Sequence, residues 1–298
     1  MALARVRAAT KRVIEFAQRV VSTVPVVRSI VTGLVRIELI DRSMAIAAQA
    51  MLALVPLMVV LTAFLPPEVT DLALDRFRDL TGIGEGGKGL VQTSVDPDQV
   101  RAQVGAIGLV ITLLSATSFA RAVQRMYERV WEKRHIGGMV GIRRSSLWLV
   151  GWLITLQTLA ALGLVLTKVT DLGAVRYLLQ GIGASLMWWW TSRVLLFGRV
   201  PWRRLLFGSL LTGYSLVAYS WGSTLVMPAY VASSAAAFGT LGLILAITTW
   251  LVGFAGVLVV AAVTGRAVVE DTEVRHLALA VARRVPVLRS RVSGGVTG

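Results

Sequence analysis

The sequence predicts an all-α membrane protein with six transmembrane helices, preceded by an amphipathic helical segment. Two observations carry this prediction. First, 55% of the 298 residues are hydrophobic, and several apolar runs reach the roughly 18 to 20 residues that a helix needs to cross a bilayer. Second, basic residues are concentrated in every second connection between these runs, as they are around membrane-spanning helices.

The N-terminal segment, residues 1–43, alternates apolar and basic residues at roughly helical spacing and is too charged to span a membrane. We expect one or two amphipathic helices here, with a break at Pro25. Two positions remain open for this segment. It lies either on the inner lipid surface or against the cytoplasmic side of the helix bundle.

The predicted six-span domain occupies residues 44–265. The approximate apolar cores of its spans are, in chain order, 44–65, 104–120, 145–167, 177–197, 205–227 and 236–264. Pro56 lies inside the first core and predicts a kink. Gln49 shares a helix face with Ala45 and Ala53, so it can hydrogen-bond to a helix that approaches closely. Glycines in the last two cores also favour close helix packing.

The distribution of arginine and lysine predicts the orientation. Of the 31 basic residues, 25 lie in four segments, namely 1–43, 121–144, 193–204 and 266–298. The alternate connections 66–103 and 168–176 hold the rest together with 8 of the 16 acidic residues, and 227–235 carries no charge. Because positively charged connections stay in the cytoplasm, both termini are predicted inside and 66–103 is the outer loop. We expect the basic tail 266–298 to be partly disordered.

Residues 118–135, SFARAVQRMYERVWEKRH, place five basic residues directly after the second apolar core. We expect the second helix to continue through them into the cytoplasm, with Ala122, Met126 and Val130 on one face. The arginines either only set the topology or also contact lipid phosphates. The tryptophan run 188–190 is predicted to anchor the fourth span at the inner interface. The candidate lipid contacts at this interface are Arg121, Arg125, Arg129, Trp131, Arg193, Trp202 and Arg203.

A transport or lipid-handling role needs polar groups within the bundle. The candidates for such intramembrane polar or lipid contacts are Gln49, Gln157, Arg176, Gln180, Tyr214 and Tyr219. Arg176 begins the fourth span, and Gln180 lies one helical turn further on the same face. Arg176 is either an interfacial anchor or a ligand for a lipid phosphate at the outer mouth. The expected partners are therefore membrane lipids, including anionic headgroups.

Composition and motifs argue against an enzyme or a nucleic-acid-binding protein. The net charge of +15 follows the predicted topology, so no nucleic-acid partner is expected. The chain has no cysteine, and His135 and His276 each stand beside arginines without further candidate ligands. We therefore expect no catalytic residue, no metal and no cofactor. The glycine-rich stretch ending at Lys88 is not a P-loop, because Gly89 replaces the required Ser or Thr.

At several points the chain resembles the YihY/BrkB family of membrane proteins, and the resemblance extends over roughly residues 35–270. The stretches that carry it are LVPL (54–57), FARAVQRMYERVW (119–131) and RVPWRRLLFGSLL (199–211), followed by Tyr230, FGTLG (238–242) and Trp250. None of these is a catalytic signature. Their order and spacing together are typical of the family.

The resemblance implies a multi-pass protein of the bacterial cytoplasmic (inner) membrane, N-in and C-in by the charge pattern. It suggests a role in envelope integrity, or in the transport or handling of a lipid or amphiphilic solute. A non-transporting membrane scaffold is the alternative. The family was formerly labelled ribonuclease BN, but a ribonuclease is disfavoured because the sequence lacks clustered metal ligands. An assembly of identical chains is left open.

Overall fold

The computed structural model describes residues 25–64, 97–141, 143–152 and 173–270, and the regular structure in these ranges is helical. The all-α prediction is confirmed for this part of the chain. The helices, in chain order, are α1 (Pro25–Ile37), α2 (Leu39–Phe64), α3 (Pro97–Val130), α4 (143–152), α5 (Gly173–Leu195), α6 (Trp202–Phe238) and α7 (Thr240–Glu270). α1 begins at Pro25, and the break predicted there stays a prediction. Residues 1–24, the predicted tail beyond Glu270 and most of loop 66–103 lie outside the described residues.

One helix of the described residues, α7, is long and apolar enough to cross a membrane. Its 31 residues extend about 46 Å, against a hydrocarbon core of about 30 Å. Serine, glycine, tyrosine and tryptophan lower the average hydropathy of α5 and α6. The six-span arrangement therefore stays a prediction.

Two predicted boundaries differ from the structure. The uncharged connection 227–235 is helical, because α6 continues through Pro228 to Phe238. Only Gly239 separates α6 from α7, with a φ of 57° that a glycine adopts without strain. Five of the nine residues from 229 to 237 are alanines, which are strong helix formers. At the other boundary α3 begins at Pro97, inside the predicted outer loop, and proline is well suited to a first helical position.

The helices form a closed circuit of neighbours. α7 packs between α2 and α6, while α3 packs on α2 and α5 packs on α6. α4 completes the circuit, because its Trp148 ring lies 6.4 Å from the Phe119 ring of α3. The Trp148 Nε1 also donates a hydrogen bond of 3.2 Å to Thr191 Oγ1 on α5.

We call one end of this bundle the basal end. It is where α1, the C-terminal halves of α3 and α7, and the turn after α5 meet. Buried hydrophobic side chains from all of these elements fill it, among them Ile37, Val123, Met126, Trp148, Leu195, Leu196, Leu258 and Val259. The α3 face predicted from helical periodicity is confirmed, since Ala122, Met126 and Val130 are all buried here. The basal end is therefore a packed hydrophobic core.

The described part of the amphipathic N-terminal segment packs on the bundle. α1 contacts α7, α2 and α3. Its Gly33 sits so close to α7 that a Cβ atom there would lie 2.8 Å from Val263 Cγ1. Of the two positions left open by the sequence, the structure thus favours contact with the bundle for residues 25–37.

Glycines allow α6 and α7 to approach at backbone distance. A Cβ on Gly265 of α7 would overlap the Cα of Gly208 on α6, whereas a Cβ on Gly208 would lie 3.5 Å from the Gly265 Cα. Gly213 faces Ser185 of α5 in the same way, with its Cβ position 2.7 Å from the Ser185 Cα. The close packing predicted from the glycines is confirmed at these two contacts.

Candidate functional site

The basal end contains a buried carboxylate group. The side chain of Glu128 on α3 is only 2% exposed. Its Oε1 accepts hydrogen bonds from Arg199 Nη2 at 2.7 Å and from Gln124 Nε2 at 3.0 Å. The backbone N–H of Ile136 reaches the same oxygen at 3.2 Å. His135 Nδ1 lies 2.6 Å from Oε2, and because a carboxylate only accepts, Nδ1 carries the hydrogen. We call these residues the Glu128 network.

Arg199 extends this network from the turn after α5. Its Nη1 donates to the backbone carbonyl of Arg134 at 2.6 Å, and its Nε donates to that of Leu196 at 3.1 Å. The guanidinium also lies 5.5 Å from the Phe197 ring, within range of a cation–π interaction. One arginine therefore joins the buried carboxylate to the backbone of two turns.

Both of these turns hold a residue other than glycine in the left-handed backbone region. Glu132, after α3, has a φ of 50°, and Phe197, after α5, has a φ of 56°. Such conformations cost about 1–3 kcal/mol each and persist where the surroundings determine them. The Glu128 network bonds to the backbone of both turns, so it supplies that constraint. Since donors surround the carboxylate, the arrangement suits a structural lock better than a reacting group.

The second feature of the basal end is a concave pocket of about 450 Å³ between α1 and α7. Its polar lining comes from these two helices and consists of Arg28, Ser29, Thr32, Arg36, Arg266 and Glu270. We call it the basal pocket. Three arginines and one carboxylate give the lining a positive charge, which favours an anionic occupant.

A glutamate already bridges two of the pocket arginines. Glu132 pairs with Arg36 of α1, and its Oε1 lies 3.2 Å from Arg266 Nη1 of α7. The hydrogen bond from Arg266, together with the charges of both arginines, lowers the pKa of Glu132 below its usual value. Arg266 Nε also donates to Glu270 at 2.6 Å. The pocket wall is therefore built to stabilise a negative oxygen between α1 and α7.

Further arginines surround the basal end. The pKa of Arg125 is lowered by partial burial, and next by the charges of Arg121 and Arg42. Arg125 and Arg129 are exposed, and Arg129 lies 3.9 Å from Glu38. The predicted basic candidates Arg121, Arg125 and Arg129 follow one another at intervals of four residues along α3, beside the Glu128 network, and Arg121 is half-buried.

The remaining inner-interface candidates have different surroundings. Trp131 is buried, so little of its ring is left for contact with lipid. Arg193 is exposed and donates to the Val200 carbonyl at 3.3 Å. Trp202 is exposed, and the Arg203 guanidinium lies 5.3 Å from its ring. These last two residues form a basic and aromatic pair at the start of α6.

The tryptophan run 188–190, which the sequence predicts to be an interfacial anchor, is divided between the core and partly exposed positions. Trp188 is buried in the basal core, and its ring lies 6.5 Å from Phe254 of α7. Trp190 packs against Gly151 of α4. Trp189 is half-buried and donates to the Trp202 carbonyl at 3.0 Å. The prediction is wrong for Trp188, because a large aromatic ring suits a core as well as an interface.

Among the intramembrane candidates, Gln49 of α2 is half-buried and accepts a hydrogen bond from Ser118 of α3. Tyr219 of α6 donates to the Trp250 carbonyl of α7 at 2.8 Å. Trp250 Nε1 in turn donates to Ser223 Oγ at 2.9 Å. These polar side chains therefore join neighbouring helices.

The other intramembrane candidates are not brought together with them. Tyr214 and Gln180 are exposed, and Tyr214 packs against Gly181 of α5. Gln157 lies outside the described residues, and so does the side chain of Arg176. In the part of the chain that the structure describes, no three His, Asp or Glu side chains form a group that could hold a metal ion.

The family described as virulence factor BrkB matches residues 30–284. The chain belongs to the BrkB family. No curated protein and no solved structure matches it. It is accordingly a membrane protein of the BrkB family, as the resemblance implied.

In this BrkB-family chain, two of the stretches that carry the resemblance meet in space. The Glu128–Arg199 bond joins residues 119–131 to residues 199–211. Gly239, within the stretch 238–242, forms the turn between α6 and α7. The recognisable sequence of the family thus coincides with the packed and hydrogen-bonded framework of the basal end and of the α6–α7 pair.

Several BrkB-chain residues at the basal end were not singled out by the sequence analysis. Glu128 and Gln124 are four residues apart, so they share a helix face, and both are buried. That spacing was the available signal for Glu128. The sequence indicates no partner for His135, yet its ring contacts the Glu128 carboxylate. No signal pointed to the basal pocket, because its walls come from opposite ends of the chain.

Proposed function

We propose that this BrkB-family protein crosses the inner membrane six times, keeps both termini in the cytoplasm, and handles a lipid or amphiphilic solute in support of envelope integrity. The observation that carries the proposal is an extensive exposed apolar surface on the bundle. Its members on α5, α6 and α7 include Leu178, Ile182, Leu186, Leu210, Trp221, Leu225, Val226, Leu241 and Leu245. Large apolar side chains exposed in this number are typical of a surface that faces a membrane or a partner.

Polar groups between the helices support a lipid-handling role. The Gln49–Ser118 bond and the Tyr219–Trp250 bond lie between helices and are partly buried. Polar residues at intramembrane depth are costly and commonly mark a functional path. The arginine-rich basal end suits the negatively charged cytoplasmic surface of a membrane.

A non-transporting scaffold is the second candidate, and the packed basal core favours it. Buried side chains from α1, α3, α4 and α7 fill that end of the bundle, and the basal pocket lies between α1 and α7. A scaffold needs a stable surface and no path for a substrate. Lipid handling and scaffolding therefore differ in whether the protein moves lipid.

We do not propose an enzyme. The Glu128 carboxylate is occupied by the donors of its network. The Nδ1 of His135 is hydrogen-bonded to that carboxylate. A ribonuclease would need clustered metal ligands or an acid–base pair, so the former ribonuclease label is not favoured.

The topology is tested with single cysteines, which report cleanly because the natural chain has none. Lys133 is exposed at the basal end and serves as the inner site. We expect Lys133→Cys to react with an impermeant maleimide only after the cells are opened. Ala237→Cys, near the turn at Gly239, should react in intact spheroplasts. The opposite pattern would refute the N-in and C-in arrangement.

Lipid handling is tested in vesicles that contain the purified protein and a trace of a fluorescent phospholipid. Dithionite added outside bleaches only the label in the outer leaflet. If the protein moves lipid, bleaching should exceed the outer-leaflet share measured in protein-free vesicles. Bleaching that stays at that share, with correctly inserted protein, would support the scaffold instead.

A further inference from the structure

We propose that the basal pocket binds the phosphate of an anionic phospholipid from the cytoplasmic leaflet. The inference deepens the proposed function and rests on the membrane orientation given there. Its basis is the pocket of about 450 Å³ with three arginines and two hydroxyl side chains, formed between α1 and the C-terminal end of α7. The volume falls within the range of sites that hold small ligands.

The pocket donors share one face of α1. Arg28, Thr32 and Arg36 follow one another at intervals of four residues, so their side chains lie in a row. Ser29 lines the pocket beside them. Guanidinium groups bind phosphate oxygens through paired N–H donors, and hydroxyl groups add single donors. A row of this composition is suited to an oxyanion with several oxygens.

A carboxylate beside the pocket already bridges an arginine from each of its two walls. The Glu132 carboxylate pairs with Arg36 of α1 and with Arg266 of α7. The Arg36 and Glu132 side chains are about half exposed, at 50% and 55%, so their pairing contributes little to stability. A phosphate can therefore replace the carboxylate at Arg36 at low cost. Arg28 has no carboxylate partner among the described residues and is free to bind the same phosphate.

The surface beside the pocket favours a lipid as the source of that phosphate. Val31 and Val35 of α1 are exposed and lie one helical turn apart. α1 therefore carries a row of arginines and hydroxyls towards the pocket and apolar side chains on its open surface. An amphipathic helix of this kind lies at the headgroup level of a membrane. A headgroup in the pocket would leave its acyl chains next to the apolar side.

The test measures binding to the purified full-length chain in a nonionic detergent by microscale thermophoresis. The probes are short-chain phosphatidic acid, short-chain phosphatidylcholine and inorganic phosphate. The key variant is Arg28→Gln, which leaves the pairs of Arg36 and Arg266 intact. The matched control is Arg204→Gln, which removes the same charge from an exposed arginine at the start of α6.

We expect phosphatidic acid to bind about tenfold more tightly than phosphatidylcholine, and Arg28→Gln to weaken it about tenfold, as loss of a charged hydrogen bond predicts. Arg204→Gln should change the affinity less than about twofold, as expected for an exposed charge. Equal losses in the two variants would show diffuse charge attraction and overturn the site. Inorganic phosphate that binds as tightly as the lipid would overturn the lipid assignment. The vesicle assay decides the proposed function separately, because binding to the pocket requires no movement of lipid.

Discussion

Replacing Glu128 with alanine is expected to lower the free energy of unfolding by about 3–5 kcal/mol, the range measured when one partner of a buried ion pair is removed. The carboxylate is 2% exposed, and its main partner, Arg199, is 25% exposed. Some water therefore reaches the arginine, which places the expected loss nearer 3 kcal/mol. Thermal unfolding in one detergent, followed by tryptophan fluorescence, measures the effect.

The matched control for Glu128 is Glu132→Ala, four residues further along the chain. Glu132 also pairs with arginines, but its side chain is 55% exposed. Exposed pairs contribute about 0–1 kcal/mol, so its loss should be small. The double variant Glu128→Ala with Arg199→Ala should be less damaging than the sum of the two single changes, because both remove the same interaction. Additive losses, or equal losses at Glu128 and Glu132, would contradict a buried lock.

Replacing Gly265 with alanine is expected to destabilise the α6–α7 contact by about 1–3 kcal/mol, the usual cost of overpacking. The new Cβ would overlap the backbone of Gly208, and a backbone cannot rotate away as a side chain can. Alanine is a better helix former than glycine by about 1 kcal/mol, which offsets part of the loss. The melting temperature should nevertheless fall.

Gly208→Ala is the mirror control for this contact. Its Cβ would lie 3.5 Å from the Gly265 Cα, an ordinary van der Waals distance. The gain in helix propensity is then not opposed by a clash, so stability should be unchanged or slightly higher. The two variants are therefore expected to change stability in opposite directions at the same glycine pair. If Gly208→Ala were the more harmful, the packing described for α6 and α7 would be wrong.

The helical parts of the fold were predictable because hydrophobic periodicity is a local property of the chain. Ala122, Met126 and Val130 were placed on one face of α3 from spacing alone, and all three are buried. The sequence predicts a connection at 227–235, but this stretch is helical. An uncharged, alanine-rich stretch is compatible with a loop and with a helix. The length of α6 is decided by its packing against α7.

The candidate site was less predictable, since its partners are distant in sequence. Glu128 and Arg199 are 71 positions apart, and nothing near either residue indicates the other. Arg193 and Arg203 were placed at the inner interface from charge alone. The sequence likewise predicts lipid contact for Trp188, although a tryptophan near the end of a span suits a protein core equally well. Only the arrangement of α4, α5 and α7 distinguishes the two.

The basal pocket has a consequence for the order in which the protein is made. Its walls are α1, which leaves the ribosome early, and the last turn of α7, which leaves late. Until α7 is inserted, Arg28, Arg36 and Gly33 have no partner on that side, and α1 is available to the membrane surface. The contact between Gly33 and Val263 therefore forms only after α7 has been synthesised. Closure of the pocket thus follows the insertion of α7, and a bound anion would stabilise only chains that have reached this stage.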